Sequence, residues 1–321
     1  MAGTGLTERE NEKHENNKQS LKQKGSNTGI IYQMKQIHYI LITGLFLCLT
    51  GCEAQTDHPQ TRQTDHTGNP LIDTTGAVIQ NRIRTPQGFR RSPASENSFT
   101  AYLRTLPLKA HGSPAKYYDG GSKPNHGVYV AVVDLPIGDQ DLHQCADAVM
   151  RLRAEYLWQQ QQYDSIHFNF TNGFRVDYSE WMQGRRMIVE GNTTRWNNRY
   201  APSNTYHDFR QYMQLIFMYA GTLSLSRELE SVAFHKMQIG DVLIQGGMPG
   251  HAVIVVDMAK HASTGERIYL LAQSYMPAQE IQILHNRHDS ISPWYRLNSD
   301  TVIYTPEWSF SKNDLMGFPE K

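Results

Sequence analysis

The sequence of 321 residues lacks an excess of charge of either sign, because Lys and Arg total 31 and Asp and Glu also total 31. Without a net field the chain has little to attract a polyanion, so we predict no nucleic-acid partner. It also lacks an apolar run of the roughly 20 residues that a transmembrane helix needs. No internal repeat is present. The sequence therefore predicts an ordinary globular domain.

Motifs for common cofactors are missing as well. There is no Gly-x-Gly-x-x-Gly or phosphate loop, and Gly246-Gly247 fits a turn between strands better than a phosphate site. The histidines, including His285 and His288, lack the spacing of a zinc site. No elbow motif surrounds Ser274, which a serine nucleophile would need. We therefore predict no metal and no cofactor, and the oligomeric state is left open.

The segment 34–51 has a short basic start and an apolar run of about a dozen residues, which is typical of a secretory signal peptide. Its last residues, Leu-Thr-Gly before Cys52, resemble the lipobox of bacterial lipoproteins. That resemblance implies cleavage before Cys52 and a lipid on its thiol, with membrane lipid as a partner. Residues 1–33 are polar and lack apolar periodicity, so we expect Met34 to be the true start and the preceding residues to be disordered.

Few large apolar residues follow the lipobox. We predict that residues 52–82 form a flexible tether, because such a composition buries too little apolar surface to become ordered. The remaining residues, 83–321, are predicted to form a single globular domain. Its predicted location is the cell envelope, lipid-anchored at the outer membrane or the periplasmic face.

The scarcity of cysteine limits the chemistry further. Of the three cysteines, Cys48 lies in the apolar run and Cys52 would carry lipid, so only Cys145 remains as a free thiol. A single thiol forms no internal disulfide. Cys145 is therefore either a small buried hydrophobic residue or a reactive group, and its position alone leaves both readings open.

Periodicity predicts a mixed α+β domain. Helices are predicted over 97–106, from Asp139 or Asp141 to 163, over 206–220 and over 226–234, and strands over 126–134, 166–171, 174–178, 268–274 and twice within 237–257. The pair Asn172-Gly173 predicts a tight hairpin turn. Cys145 falls on the apolar face of the second helix. The stretch after Trp294 is too irregular to assign.

The most informative segment has His251 at the start of its second strand. Alternation places His251, Val253, Val255 and Asp257 on one face, but roughly 20 Å of strand separates Asp257 from His251 and excludes it as a direct partner. If the following hairpin is centred near position 262, Gln273 lies directly opposite His251. A Gln amide oxygen could then orient the imidazole for work on a thiol.

The Gly-Asp of 240–241 and the Gly-His of 250–251 resemble the signature of NlpC/P60 cell-wall peptidases. The resemblance implies a papain-like fold, in which an antiparallel sheet packs against a core helix carrying the nucleophilic cysteine. It also implies Cys145 as nucleophile, His251 as base and Gln273 as the orienting residue. The implied activity is that of a cysteine hydrolase, an amidase or peptidase, acting on peptidoglycan peptides.

The sequence around Cys145 departs from the family pattern, because it reads His-Gln-Cys-Ala-Asp rather than Asp-Cys-Ser-Gly and a predicted strand precedes its helix. As a whole, the chain also resembles a family of Bacteroides-type lipoproteins of unknown function. The alternative hypothesis is therefore a non-catalytic envelope lipoprotein that uses the same fold for binding or assembly. Only the enzyme needs Cys145 and His251 within reach of each other.

Overall fold

A computed structural model describes residues 71–298 and 300–319. The predicted signal peptide over 34–51, the lipid site at Cys52, the early start over 1–33 and most of the predicted tether lie outside these residues.

The packed part of the chain begins earlier than predicted. Leu71 and Ile79 are buried, and the Arg84 N–H donates to the Leu71 carbonyl at 2.8 Å. The prediction that the tether extends to residue 82 is therefore wrong for its last twelve positions. The apolar residues there are too widely spaced to give a periodic signal, yet Leu71 and Ile79 belong to the apolar core.

Six α-helices lie within the described residues. They are α1 (Ile79–Arg82), α2 (Phe99–Arg104), α3 (Cys145–Gln159), α4 (Tyr178–Met182), α5 (Tyr206–Tyr219) and α6 (Thr222–Glu228). Short 3₁₀ turns occur at Tyr163–Ser165, Phe234–Lys236 and Lys312–Asp314. The Ser98 side chain caps α2 by accepting from the Ala101 N–H at 3.1 Å. Ser98 itself has extended backbone, so the helix begins at the next residue.

Fifteen strands are described. They are β1 (Phe89–Arg91), β2 (Tyr129–Val132), β3 (His167–Asn169), β4 (Arg175–Asp177), β5 (Arg185–Glu190), β6 (Thr193–Asn198), β7 (Glu230–Ser231), β8 (Val242–Gln245), β9 (His251–His261), β10 (Arg267–Gln273), β11 (Gln282–Leu284), β12 (Tyr295–Arg296), β13 (Val302–Tyr304), β14 (Ser309–Ser311) and β15 (Leu315–Gly317).

Nine of the strands form one antiparallel sheet in the order β2-β11-β10-β9-β8-β15-β7, with β1 added to β9 and β12 added to β10. The pairs β3-β4, β5-β6 and β13-β14 are separate hairpins. The fold is thus mixed α+β, as predicted, with an antiparallel sheet at its centre.

The sheet separates two apolar cores. Ala252, Ile254 and Val256 of β9 belong to the larger core, which includes the apolar residues of α3. Val253 and Val255 belong to a smaller core on the other face. Alternate side chains of one strand thus face opposite layers, and nearly every residue of β9 is buried.

Several predicted elements are confirmed, with shifted ends. The helix over 206–220 is α5, the strand over 268–274 is β10, and the hairpin turn at Asn172-Gly173 joins β3 to β4, with Gly173 at a φ of 87°. The helix predicted over 226–234 is wrong in position, because α6 begins at Thr222 and ends before a strand. No helix within residues 71–298 and 300–319 is long and apolar enough to cross a membrane.

Candidate functional site

The helix α3 begins at Cys145, so the predicted start at Asp139 or Asp141 is wrong. The Gln144 N–H donates to Asp147 Oδ2 at 2.9 Å, which fixes the first turn. Asp141 does not cap the helix because its Oδ1 accepts from the Ala278 N–H at 2.7 Å and from the Gln144 side chain. The correction places Cys145 in the first turn, where helix N–H groups lack intrahelical partners and favour negative charge.

His251 is the first residue of β9, and a close turn precedes it. A Cβ on Gly250 would lie 2.5 Å from both the Gly247 carbonyl oxygen and Thr222 Oγ1, so only glycine fits this position. The side chain of His251 is 1% exposed. The tight β8-β9 connection therefore positions the imidazole in a buried environment at the start of β9.

Gln273 contacts His251 as predicted, but through a different register. The strands pair Ala272 with Ile254, which would place Gln273 opposite Val253 rather than opposite His251. The shift of two positions preserves the face of each side chain. His251 Nε2 consequently lies 2.9 Å from Gln273 Oε1 as a diagonal neighbour. Since an amide oxygen only accepts, Nε2 carries the hydrogen and Nδ1 is left as an acceptor.

A bulge in β9 changes the face of Asp257. The pairing with β10 shifts between Leu270 and Leu271, and Asp257 bonds Arg91 and Arg104, each at 2.6 Å. The prediction that Asp257 shares a face with His251 is therefore wrong, because one extra residue in the strand redirects it. Its exclusion as a partner of His251 is consistent with these contacts.

Aromatic rings surround the imidazole. The ring centroids of Tyr275, Trp308 and Phe310 lie 4.8, 5.4 and 5.9 Å from that of His251. They shield the His251–Gln273 hydrogen bond from water, and burial lowers the pKa of His251 to about 4 although the bond to Gln273 opposes this shift. The imidazole is therefore neutral at pH 7.

The Cys145 thiol lies beside the backbone N–H of Ala252, the residue after His251, and this contact lowers its pKa. Burial has the larger effect and, with Asp147 next to it, raises the pKa of Cys145 to about 11. The residue is 7% exposed. No hydrogen bond joins the thiol to His251 among the contacts of the described residues. The Cys145 thiol thus lies against the backbone at the start of β9, and both this thiol and the His251 imidazole are uncharged at pH 7.

Two residues of the site have no signal in the sequence pattern. Glu307 Oε2 accepts from Gln273 Nε2 at 2.6 Å and from Lys123 Nζ at 2.7 Å. Lys123 lies in a loop before β2, and Glu307 lies in the turn between β13 and β14, within the stretch that periodicity left unassigned. Only the long-range fold brings them to Gln273.

The other residues considered from the sequence have different environments. The Ser274 hydroxyl donates to the carbonyls of His143 and Gln279 at 2.9 and 2.7 Å, and the residue is fully buried. The Ser274 hydroxyl therefore fixes the backbone two residues before Cys145. The ring of His288 packs against Tyr304. In the part of the chain that the structure describes, no group of three His, Cys, Asp or Glu side chains could hold a metal ion.

The fold and the site together define an α+β protein with a cysteine, a histidine and a glutamine at one end of an antiparallel sheet. The chain belongs to the family described as Domain of unknown function (4846), whose model matches residues 79–317. That match includes every residue of the site. No curated protein and no solved structure matches the chain.

Proposed function

We propose that the protein is an envelope lipoprotein with cysteine hydrolase activity, in which Cys145 is the nucleophile, His251 the base and Gln273 the orienting residue. The observation that supports this most is the 2.9 Å hydrogen bond from His251 Nε2 to Gln273 Oε1. It leaves Nδ1 as a proton acceptor on the residue next to Ala252, whose N–H contacts the thiol.

The proposed activity implies a particular kind of α+β fold. A cysteine that begins a helix packed on an antiparallel sheet, and a histidine that begins a sheet strand, are the features that the NlpC/P60 resemblance implies. The residues that resemble that family are the Gly-Asp and Gly-His pairs at 240–241 and 250–251. We therefore propose a papain-like fold of the NlpC/P60 type.

The proposed reaction begins from the neutral pair. The Cys145 thiol transfers its proton to His251 Nδ1 as the sulfur attacks a peptide carbonyl. The imidazolium then protonates the leaving amine, and a thioester remains on Cys145. Water, deprotonated by Nδ1, attacks the thioester and releases the acid with the thiol restored. The N–H groups of Cys145 and Ala252, both close to the sulfur, are suited to stabilising the oxyanion.

The proposed substrate is a peptide of the cell wall. This rests on two features of the sequence, the NlpC/P60-like Gly-His segment and the lipobox-like residues before Cys52. A lipid on Cys52 would hold the domain at the envelope, within reach of peptidoglycan. Neither a metal nor a cofactor enters this reaction.

The test is to incubate the purified full chain with peptidoglycan and to resolve the soluble products by mass spectrometry, with Cys145→Ala as the matched control. We expect new peptide fragments from the native chain and none from the variant, and the fragment masses identify the bond. Absence of fragments, together with no labelling of Cys145 by a thiol probe in the folded protein, would refute the catalytic role.

One observation favours the alternative, a non-catalytic envelope lipoprotein for binding or assembly. Cys145 is 7% exposed and its thiol is protonated at neutral pH, as in a residue that only fills space. A binding protein would sediment with insoluble peptidoglycan without releasing fragments, and Cys145→Ala would sediment equally. The same samples therefore distinguish the two functions.

A further inference from the structure

The amide of Gln273 sits between two groups with opposite requirements. Its Oε1 faces His251 Nε2 at 2.9 Å, and its Nε2 faces Glu307 Oε2 at 2.6 Å. The two ends of a carboxamide are nearly equal in size, so shape alone does not decide which end faces the imidazole. The group on the far side of the amide, Glu307, must therefore determine which end of the amide faces His251.

A carboxylate only accepts hydrogen bonds, so Glu307 requires the amide N–H of Gln273. The flipped amide would set an oxygen against the carboxylate oxygen at the same short distance. Turning N–H toward Glu307 turns the amide oxygen toward His251, and the imidazole must then donate from Nε2. The charge on Glu307 thus selects the tautomer of a ring that it does not touch.

We propose that Glu307, held by Lys123, is a positioning residue that fixes the amide of Gln273 and thereby keeps the proton on Nε2 and the lone pair on Nδ1 of His251. For its effect on hydrolysis this inference rests on the proposed function. Its effect on the tautomer does not depend on any activity.

The carboxylate is well anchored for this role. Lys123 Nζ donates to Glu307 at 2.7 Å and to Gln282 Oε1 at 3.2 Å, and Lys123 is 6% exposed. The ammonium compensates the charge that the site would otherwise bury. Lys123 also lies 5.7 Å above the ring of Tyr275.

The backbone of Glu307 is fixed as well. Its turn is closed by the Thr305 N–H, which donates to the Trp308 carbonyl at 2.8 Å, and by Thr305 Oγ1, which accepts from the Trp308 N–H at 3.1 Å. The indole of Trp308 then donates to Gln245 Oε1 of β8 at 3.0 Å. The β13-β14 turn is thereby attached to the strand next to β9.

The experiment compares imidazole ¹⁵N spectra of the full chain with those of Glu307→Gln, which keeps the shape and removes the charge. His251→Gln assigns the His251 signals among the 14 histidines. We expect one tautomer with protonated Nε2 in the native chain and a mixture in Glu307→Gln, with kcat lowered about 10–100-fold and KM unchanged. Glu307→Asp should restore the single tautomer. The matched control is Glu190→Gln, at an exposed position of β5.

A single unchanged tautomer in Glu307→Gln overturns the inference, whatever the hydrolysis assay shows. A tautomer mixture in a protein that cleaves nothing supports the inference and refutes the proposed function. If Glu307→Gln does not fold, Glu307→Ala tests the same link: a tautomer mixture supports it, and an unchanged tautomer overturns it.

Discussion

The β9 strand buries a titratable side chain at its first residue, His251, and another at its middle, Asp257, but the surroundings of the two differ. Asp257, fully buried, accepts from two arginines at 2.6 Å and from the Met258 N–H at 2.8 Å. His251, 1% exposed, makes one side-chain hydrogen bond and otherwise contacts aromatic rings.

The difference separates a structural site from a candidate chemical one. At Asp257 both carboxylate oxygens accept from donors and two arginines compensate the charge, so loss of the carboxylate would leave buried cations unpaired. At His251, Nε2 is hydrogen-bonded to Gln273 and Nδ1 has no hydrogen bond to any other residue that the structure describes, so Nδ1 can exchange a proton with little rearrangement. Burial of a polar residue therefore does not by itself indicate function.

The largest expected effect is at the His251 end. His251→Gln removes the base and should lower hydrolysis of peptidoglycan about 10²–10⁴-fold, because proton transfer by a positioned group contributes that much. The free energy of unfolding should change by much less than the activation free energy of hydrolysis, since the imidazole is neutral at pH 7. Rates come from fragment release followed by mass spectrometry, and stabilities from urea unfolding. Equal rates for the variant and the native chain would contradict the assignment of His251 as base.

In the middle of β9, Asp257→Asn should instead lower stability and leave hydrolysis unchanged. The substitution keeps the shape but leaves Arg91 and Arg104 without their buried counter-charge, which should lower the free energy of unfolding by about 3–5 kcal/mol. The folded fraction should still hydrolyse at the native rate. Urea unfolding measures the loss. As a control, Asp177→Asn at the exposed pair with Arg175 should cost less than about 1 kcal/mol, and an equal loss at both positions would show that burial is not the cause.

The sequence predicted the features of the two sites that depend on neighbouring residues, but not those that depend on long-range contacts. The start of β9 at His251 follows from its run of β-branched residues, and its link to Gln273 follows from the alternation of a hairpin, which survives the two-residue error in register. The face of Asp257 was mispredicted because periodicity assumes a regular strand and does not register a bulge.

The charged neighbours were out of reach for a different reason. Glu307 lies 34 residues after Gln273 in sequence, and Lys123 lies 184 residues before Glu307. Such contacts depend on how the hairpin β13-β14 packs on the sheet, which no local pattern encodes. Likewise, the start of α3 at Cys145 depends on Asp141, whose carboxylate bonds a residue of another loop instead of capping the helix.

Cys145 should react slowly with alkylating reagents in the folded protein. Burial raises the pKa of its thiol from 9.0 to about 11, so at pH 8 the thiolate fraction in the folded protein should be about 100-fold below that of an ordinary cysteine. The rate of Cys145 alkylation, followed by peptide mass mapping from pH 7 to 11, should therefore still be rising near pH 11. In urea-unfolded protein it should level off by about pH 10. A folded-state plateau below pH 8 would instead indicate a thiolate paired with an imidazolium.

The smallest expected effect involves Glu228, a partly buried carboxyl without the paired arginines of Asp257. Burial raises its pKa from 4.5 to about 7, while the Asn169 N–H, which donates to Glu228 Oε1 at 2.6 Å, opposes this shift. Between pH 4.5 and 7 the unfolded chain loses this proton and the folded chain retains it, so stability falls as pH rises.

Glu228→Gln keeps the acceptor for Asn169 and removes the titration. Relative to the native chain, the variant should gain on the order of 1 kcal/mol of stability between pH 5 and pH 8, a value reduced for solvent screening of a partly exposed group. Urea unfolding of both proteins at the two pH values measures it, and the difference between them cancels the titration of all other groups. If the gain is absent, the carboxyl is ionised in the fold at little cost, and the contrast with Asp257 does not rest on paired arginines.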